Sequence, residues 1–183
     1  MSYIPTGSQT VGPFFNFALT TNGGLGILAK PGSEGERILI EFQVTDGAGA
    51  ATPGDSMIEL WQADAQGRYS GGDPKFQGFG RLETNVEGVC CFETIKPGRV
   101  AGADGRPQAP HINVTIFARG LLRHLHTRMY FAGEPANAED AALNLVSEAR
   151  RQTLLAQPVP GKQNAWRMEI RLQGERETVF FDL

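Results

Sequence analysis

The chain has 183 residues, a length that suits a single domain over residues 1–183 with its own hydrophobic core. Apolar residues make up 40% and charged residues 20%, which is typical of a globular protein and not of a disordered one. A formal charge of −3 without any Lys/Arg run argues against nucleic acid or an anionic membrane surface as a partner. The start has no leader pattern, and no apolar run reaches the ~20 residues that span a bilayer, so we expect a cytoplasmic protein.

The strands are predicted by short apolar or alternating segments that Gly/Pro-rich turns separate. In chain order these segments are Arg37–Asp46, Met57–Asp64, Val89–Lys96, His111–Arg119, Leu125–Phe131, Ala165–Gln173 and Glu177–Leu183. Met57–Asp64 is predicted to be buried on both faces, because Ile58, Leu60 and Trp61 do not all share one side. The pattern predicts a mainly β protein, an antiparallel β-sandwich.

Two segments depart from this pattern. Ala138–Ala156 has apolar residues at helical spacing, which predicts one short helical segment, either a helix or helical turns. Residues 1–35 are glycine-rich with little periodicity and predict an irregular N-terminal arm. The only cysteines, Cys90 and Cys91, are adjacent, so on a strand they would face opposite sides, and we expect two reduced, buried thiols.

The segment His111–Arg119 contains the first candidate site. Its odd positions share one face of the predicted strand, and two ligands two residues apart on one face can reach one metal. Here the pair is His111 and Asn113, and a neutral amide is a weak ligand for a transition metal. Taken alone, His111 is more often a hydrogen-bonded structural histidine than a ligand.

A second candidate pair is His124 and His126, which would share a face of the next strand. Arg123 and Arg128 flank the pair, and their positive charges disfavour a bound cation. There is no Gly-x-Ser-x-Gly elbow, no phosphate-binding glycine loop and no paired Cys and His in the sequence. The residues alone therefore predict a soluble β protein without a defined reaction.

Nine motifs, in order along nearly the whole chain, go further. They are SQTVGPFF (8–15), IELWQADAQGRY (58–69), FGR (79–81), TIKPG (94–98), APHINVTIFARG (109–120), HLHTRMYF (124–131), LNL (143–145), RQTLLA (151–156) and QGERETVFFDL (173–183). The set resembles the intradiol ring-cleavage dioxygenases, and among them the α chains of the protocatechuate 3,4-dioxygenases. This resemblance implies cleavage of protocatechuate with O2 in the β-ketoadipate pathway, by a higher hetero-oligomer of α chains and β chains of the same fold.

The resemblance also implies where iron would bind. Catalytic chains of this family hold non-haem Fe(III) with two tyrosines and two histidines. Tyr69 and His111 match the first of each kind, whereas Val100 and Asn113 occupy the positions of the second tyrosine and the second histidine. Valine has no donor atom, so we expect no metal site in this chain, and the Fe(III) is expected on the β chain.

The same resemblance implies that this chain lines part of the active site of the β chain. The residues concerned are Thr10, Gly12 and Pro13 of the arm, and Arg119. Glycine and proline allow backbone to approach a ligand, and a guanidinium suits a benzoate carboxylate. Eight residues separate His111 from Arg119, roughly 26 Å at ~3.3 Å per strand residue, so Arg119 must serve a different site.

Two alternatives remain open from the sequence. The chain could be a β-sandwich module that binds small aromatics or proteins without oxygenase activity. It could also be a metalloenzyme that uses the pair of His124 and His126.

Overall fold

Eight strands form one mixed sheet, which curls until its two edge strands approach each other in the computed structural model. The structure describes residues 12–21, 23–47, 56–69, 72–102 and 105–182. The strands are β1 (Arg37–Thr45), β2 (Ser56–Gln62), β3 (Phe79–Glu83), β4 (Val89–Ile95), β5 (His111–Ala118), β6 (Leu125–Phe131), β7 (Leu155–Pro158) and β8 (Ala165–Arg171). The helices are α1 (Pro13–Thr20), α2 (Ala141–Leu145) and α3 (Glu148–Arg151), with 3-10 turns at Gly23–Gly26, Pro135–Glu139 and Gln152–Leu154.

The strand order is β3-β2-β5-β6-β7-β8-β1-β4. The short strand β7 joins the two halves, since it pairs with β6 on one side and with β8 on the other. Pairing is antiparallel except between β1 and β8 and between β6 and β7. The prediction of a mainly β protein is confirmed. The prediction of an antiparallel sandwich is correct only in part, because the halves face each other but remain one hydrogen-bonded sheet with two parallel pairs.

The main core lies between the two halves of the sheet. Alternate positions of β1 and β5 point into it, as the period of two predicts. These core positions are Ile38, Ile40, Phe42, Val44, Ile112, Val114, Ile116 and Ala118. In β2, Ile58 and Leu60 are fully buried but Trp61 is 48% exposed, so the prediction of two buried faces fails at Trp61.

A second, smaller apolar cluster covers the outer face of β5 and β6 at the His111 end. Its members are Ala109, Tyr130, Ala136, Leu143, Val146 and Leu154. The predicted helical segment Ala138–Ala156 consists of short helical turns, the second of the two predicted forms, because Asp140 and Val146 have extended backbone dihedral angles. Asp140 begins α2 by accepting a hydrogen bond from the Leu143 amide at 2.8 Å. None of the helices in the described residues has both the length and the apolar character to cross a membrane.

Four local predictions were incomplete or wrong. The arm contains helix α1, with Pro13 in its first turn, where a fixed φ is favourable. The short strands β3 and β7 were not predicted, because four or five residues carry little periodicity. Within the described part of Glu177–Leu183 the only pairing is an isolated bridge between Phe181 and His126, in place of the predicted strand. Both cysteines are free, but only Cys90 is buried, since Cys91 is exposed on the opposite face of β4.

Candidate functional site

Three of the four implied ligand positions meet at the start of β5. The hydroxyl of Tyr69 lies 3.4 Å from Nε2 of His111, and it accepts a hydrogen bond from Nδ2 of Asn113 at 2.9 Å. The same amide nitrogen donates to the Trp61 carbonyl at 3.3 Å. The Trp61 and Tyr69 rings stack with their centroids 6.0 Å apart. We call Tyr69, His111 and Asn113 the β5 centre.

The imidazole of His111 is held in one neutral form. Its Nδ1 lies 2.8 Å from the Ala109 carbonyl, which can only accept, so Nδ1 carries the proton. The lone pair of Nε2 therefore faces the Tyr69 hydroxyl, which donates to it. Burial lowers the pKa of His111, and the positive charge of Arg128 lowers it further. A carbonyl that fixes Nδ1 and leaves Nε2 available is the arrangement of a metal-ligating histidine.

The turn that presents Tyr69 is fixed by Asp64 and Gly67. The Asp64 carboxylate accepts from the backbone amides of Gln66 and Arg68 at 2.9 and 3.0 Å and from Nε of Arg68 at 2.8 Å. Burial alone would raise the pKa of Asp64, but the hydrogen bonds from Arg68 and Gln66 hold it below its ordinary value. Gly67 has φ +80°, and a Cβ there would overlap the Arg99 carbonyl. The motif WQADAQGRY is therefore a rigid support for Tyr69.

The fourth position, Val100, lies in the loop after β4, beside the Tyr69 turn. Gly98 in this loop packs so closely on the turn that a Cβ would overlap the Ala65 carbonyl. The Val100 carbonyl accepts from the Gln108 amide at 2.7 Å. The isopropyl group of Val100 offers no lone pair where the resemblance implies a second tyrosine.

Ferric iron does not fit the β5 centre. Val100 has no donor atom, and the Asn113 amide nitrogen already donates twice. The side chains of Tyr69 and His111 are hydrogen-bonded to each other. Arg128, which carries a positive charge, lies opposite Asn113 on the neighbouring strand. Throughout the described ranges, no group of three or more His, Cys, Asp or Glu side chains could hold a metal ion.

Arg119 lies at the far end of β5 from this centre. The pairing of β5 with β2 runs without a break from Ile112 to Ala118, so no bulge shortens the strand. Arg119 is exposed and starts the turn that leads to β6, and Gly120 follows it with φ +92°. The structure thus joins Tyr69, His111 and Asn113, and it leaves Arg119 apart from them.

The implied arm residues are described only in part. Gly12 is exposed and precedes α1, with φ −108° and ψ 171°, which any residue can adopt. A Cβ on Gly12 would meet no described atom within 4 Å. Pro13 is the first residue of α1, and Thr10 lies outside the described residues.

The pair of His124 and His126 does lie together, with ring centroids 4.6 Å apart in an edge-to-face arrangement. Burial, and after it the charge of His124, lowers the pKa of His126. Asp182 lines the same groove, together with Arg123. Because the described residues here do not form a metal-binding group, the structure gives the metalloenzyme hypothesis no support.

Sequence reasoning missed Asp140, which holds the His111 end of β5 in place. Its carboxylate accepts from the Ala109 amide at 2.8 Å and from the Tyr130 hydroxyl at 3.1 Å. Burial raises the pKa of Tyr130 to about 12, so that hydroxyl remains a donor. The only signal in the sequence was an acidic residue ahead of a short helical pattern.

Comparisons with known proteins agree with the motif set. The model of the dioxygenase family matches residues 11–174. The α chain of protocatechuate 3,4-dioxygenase from Pseudomonas putida is 45% identical and aligns over 97% of this chain and 96% of its own length. The β chain of the enzyme from Burkholderia cepacia is 35% identical over 84% of this chain and 68% of its own.

A similar solved structure is the dioxygenase domain of a dioxygenase–carbohydrate-binding protein fusion from Streptomyces sp. SirexAA-E. It superposes with a TM-score of 0.64 at 25% identity and covers 96% of this chain and 100% of that chain. The fold, the family match and the relatives lead to one conclusion. This chain belongs to the dioxygenase family, within its intradiol ring-cleavage members.

Proposed function

We propose that this chain is the iron-free α-type subunit of a protocatechuate 3,4-dioxygenase. In this proposal the assembled enzyme cleaves protocatechuate with O2 to 3-carboxy-cis,cis-muconate. One observation carries it: the four ligand positions hold a phenol, an imidazole, an amide and an isopropyl group, and the phenol hydrogen-bonds to both the imidazole and the amide. The 45% identity to a protein named as an α chain supports the assignment.

The Fe(III) then belongs to a β-type partner chain with two tyrosine and two histidine ligands. The 35% identity to a β chain supports a partner of the same fold. Chains of like shape that pair in this way commonly close into symmetric assemblies, so we expect a higher αβ hetero-oligomer.

Arg119 is assigned to bind the substrate carboxylate in the partner's active site. Its exposed position in the β5–β6 turn, away from the β5 centre, fits a role toward a neighbouring chain. A guanidinium donates charge-assisted hydrogen bonds to a carboxylate in a planar, bidentate geometry. In this role Arg119 orients the ring and takes no part in proton transfer.

Gly12 and Pro13, with Thr10, are assigned to the wall of the same site. Within the described residues, neither the backbone angles of Gly12 nor its surroundings demand a glycine. A glycine that its own chain does not require is consistent with the close approach of a ligand or another chain. The alternative of a binding module without oxygenase activity is not favoured, because the relatives named above are dioxygenase chains.

The test compares the chain purified alone with the chain co-purified with a β-type partner. We expect no iron and no ring cleavage from the isolated chain, and both from the pair. Bound iron and product formation from protocatechuate are the measurements. Stoichiometric iron with a visible phenolate-to-Fe(III) absorption band in the isolated chain would overturn the proposal.

A further inference from the structure

Arg128 lies beside the β5 centre but occupies none of the four implied ligand positions. In the β5–β6 pair it stands directly opposite Asn113, two residues from the His111–Tyr130 pair. Directly opposite residues of antiparallel strands share one face of the sheet, with Cα atoms roughly 4.5–5.5 Å apart. The guanidinium is therefore carried on the face that holds Asn113 and His111.

The position of this guanidinium is fixed by Gln108. Nη1 of Arg128 donates to Oε1 of Gln108 at 2.8 Å. The Gln108 side chain donates in turn to the Ala101 carbonyl at 3.4 Å, and its backbone amide donates to the Val100 carbonyl at 2.7 Å. Hydrogen bonds through Gln108 thus connect Arg128 to the loop that contains Val100, where the resemblance implies a tyrosine ligand.

The Asp140 carboxylate offsets only part of this charge, because the pKa of His111 is lowered more by the charge of Arg128 than it is raised by the charge of Asp140. The other nearby acid, Glu139, is paired with Arg99 at 3.2 Å. An arginine has no lone pair to offer a metal and does not lose its proton in proteins. Two positive charges in a partly buried site repel each other more strongly than they would in water.

We propose that Arg128 is a fixed cation that keeps metal ions out of the β5 centre. The lost donors at Val100 and Asn113 are then only part of the reason that iron does not fit here. Restoring these donors is insufficient while the guanidinium remains. This inference rests on the family's ligand positions and not on the proposed partner role.

The test uses three variants of the full chain. The first carries Val100→Tyr and Asn113→His, the second adds Arg128→Gln, and the third adds Arg128→Lys as a control that keeps the positive charge. Each is loaded with iron after its β-sheet circular dichroism and melting temperature are checked. We expect the visible phenolate-to-Fe(III) band and bound iron only in the variant with Arg128→Gln.

The proposal fails if the first variant binds as much iron as the second, or if the second binds none. Equal iron in the lysine and glutamine variants would also overturn it, because charge would then not be the cause. If the variants do not fold, Zn²⁺ binding to Asn113→His is measured with and without Arg128→Gln. We expect affinity at least about tenfold higher without the guanidinium, and equal affinities would refute the proposal. Iron in the unaltered chain would refute both this proposal and the proposed function, whereas the outcomes above would refute this proposal alone.

Discussion

The two ends of strand β5 differ in what surrounds their polar side chains. At one end His111 is only 1% exposed, and the turns of residues 135–154 cover it. At the other end Arg119 is exposed in the turn that leads to β6. Both ends carry residues that family motifs point to, but they sit in opposite environments.

The buried end of β5 keeps its motif residues in contacts within the chain, whereas the exposed end keeps one that can contact another molecule. A side chain whose partners lie in its own chain cannot turn to a ligand without leaving a buried donor or acceptor unsatisfied. Tyr69 and Asn113 are in this situation, because each bonds to another member of the β5 centre. The binding chemistry of this chain is therefore to be sought at the Arg119 end.

The largest expected effect comes from breaking the support of the buried end at Asp140. Asp140→Ala removes the acceptor of three hydrogen bonds, from Ala109, Tyr130 and Leu143. We expect the free energy of unfolding to fall by about 3–5 kcal/mol, measured by urea denaturation. Glu139→Ala is the matched control, since that carboxylate is 72% exposed and should cost no more than about 1 kcal/mol. Similar losses for both variants would mean that Asp140 does not hold this end together.

The next effect tests the exposed end. In the assembled enzyme, Arg119→Ala should lower kcat/KM for protocatechuate by about 10- to 150-fold, which corresponds to ~1.5–3 kcal/mol for one lost charge-assisted hydrogen bond. Bound iron should not change. Arg123→Ala, which alters another exposed arginine of the same turn, should have little effect.

A substrate without a carboxylate sharpens this test. Catechol lacks the group that Arg119 is assigned to bind, so we expect the rate of catechol cleavage to be equal in the unaltered enzyme and in Arg119→Ala. If Arg119→Ala lowered kcat/KM for both substrates to the same extent, Arg119 would stabilise the assembly and would not bind the substrate carboxylate.

A third prediction concerns the dependence of stability on pH. The folded pKa of His111 lies below that of an unfolded histidine, ~6.5, so at and below that pH the folded state binds fewer protons than the unfolded state. The free energy of unfolding should therefore decrease below about pH 6.5, by at most about 1.4 kcal/mol per pH unit for this residue. His126 contributes with the same sign, because its pKa is lowered too. Urea denaturation between about pH 7.5 and 5 measures the slope, and an unchanged slope in His111→Gln would contradict the prediction.

The sequence predicted much of the sheet, because alternation is a local property. Arg37–Asp46 and Leu125–Phe131 match β1 and β6 within one residue. What it could not predict was pairing between distant strands. The parallel pair of β1 and β8 brings together residues more than 100 positions apart, and no local pattern records such a contact.

The candidate site divides in the same way. The missing donors at Val100 and Asn113 could be found from the sequence, since Val100 follows the TIKPG motif by two residues and Asn113 lies within APHINVTIFARG. Arg128 could not be assigned to the centre, because its place depends on the β5–β6 register. Asp140 lies 29 positions beyond His111 in the printed sequence, and only the packing of the turns after β6 brings its carboxylate to Ala109.

The smallest expected effect is also the most direct test of the difference between the two ends. Tyr69→Phe removes the hydroxyl that accepts from Asn113 and donates to His111, while the ring can still stack on Trp61. We expect a loss of about 1 kcal/mol in the free energy of unfolding and no change in kcat/KM of the assembled enzyme. A fall in kcat/KM comparable to that of Arg119→Ala would show that the β5 centre still takes part in the reaction. Stability affected at one end of β5 and catalysis at the other would establish that this strand now joins a structural site to a functional one.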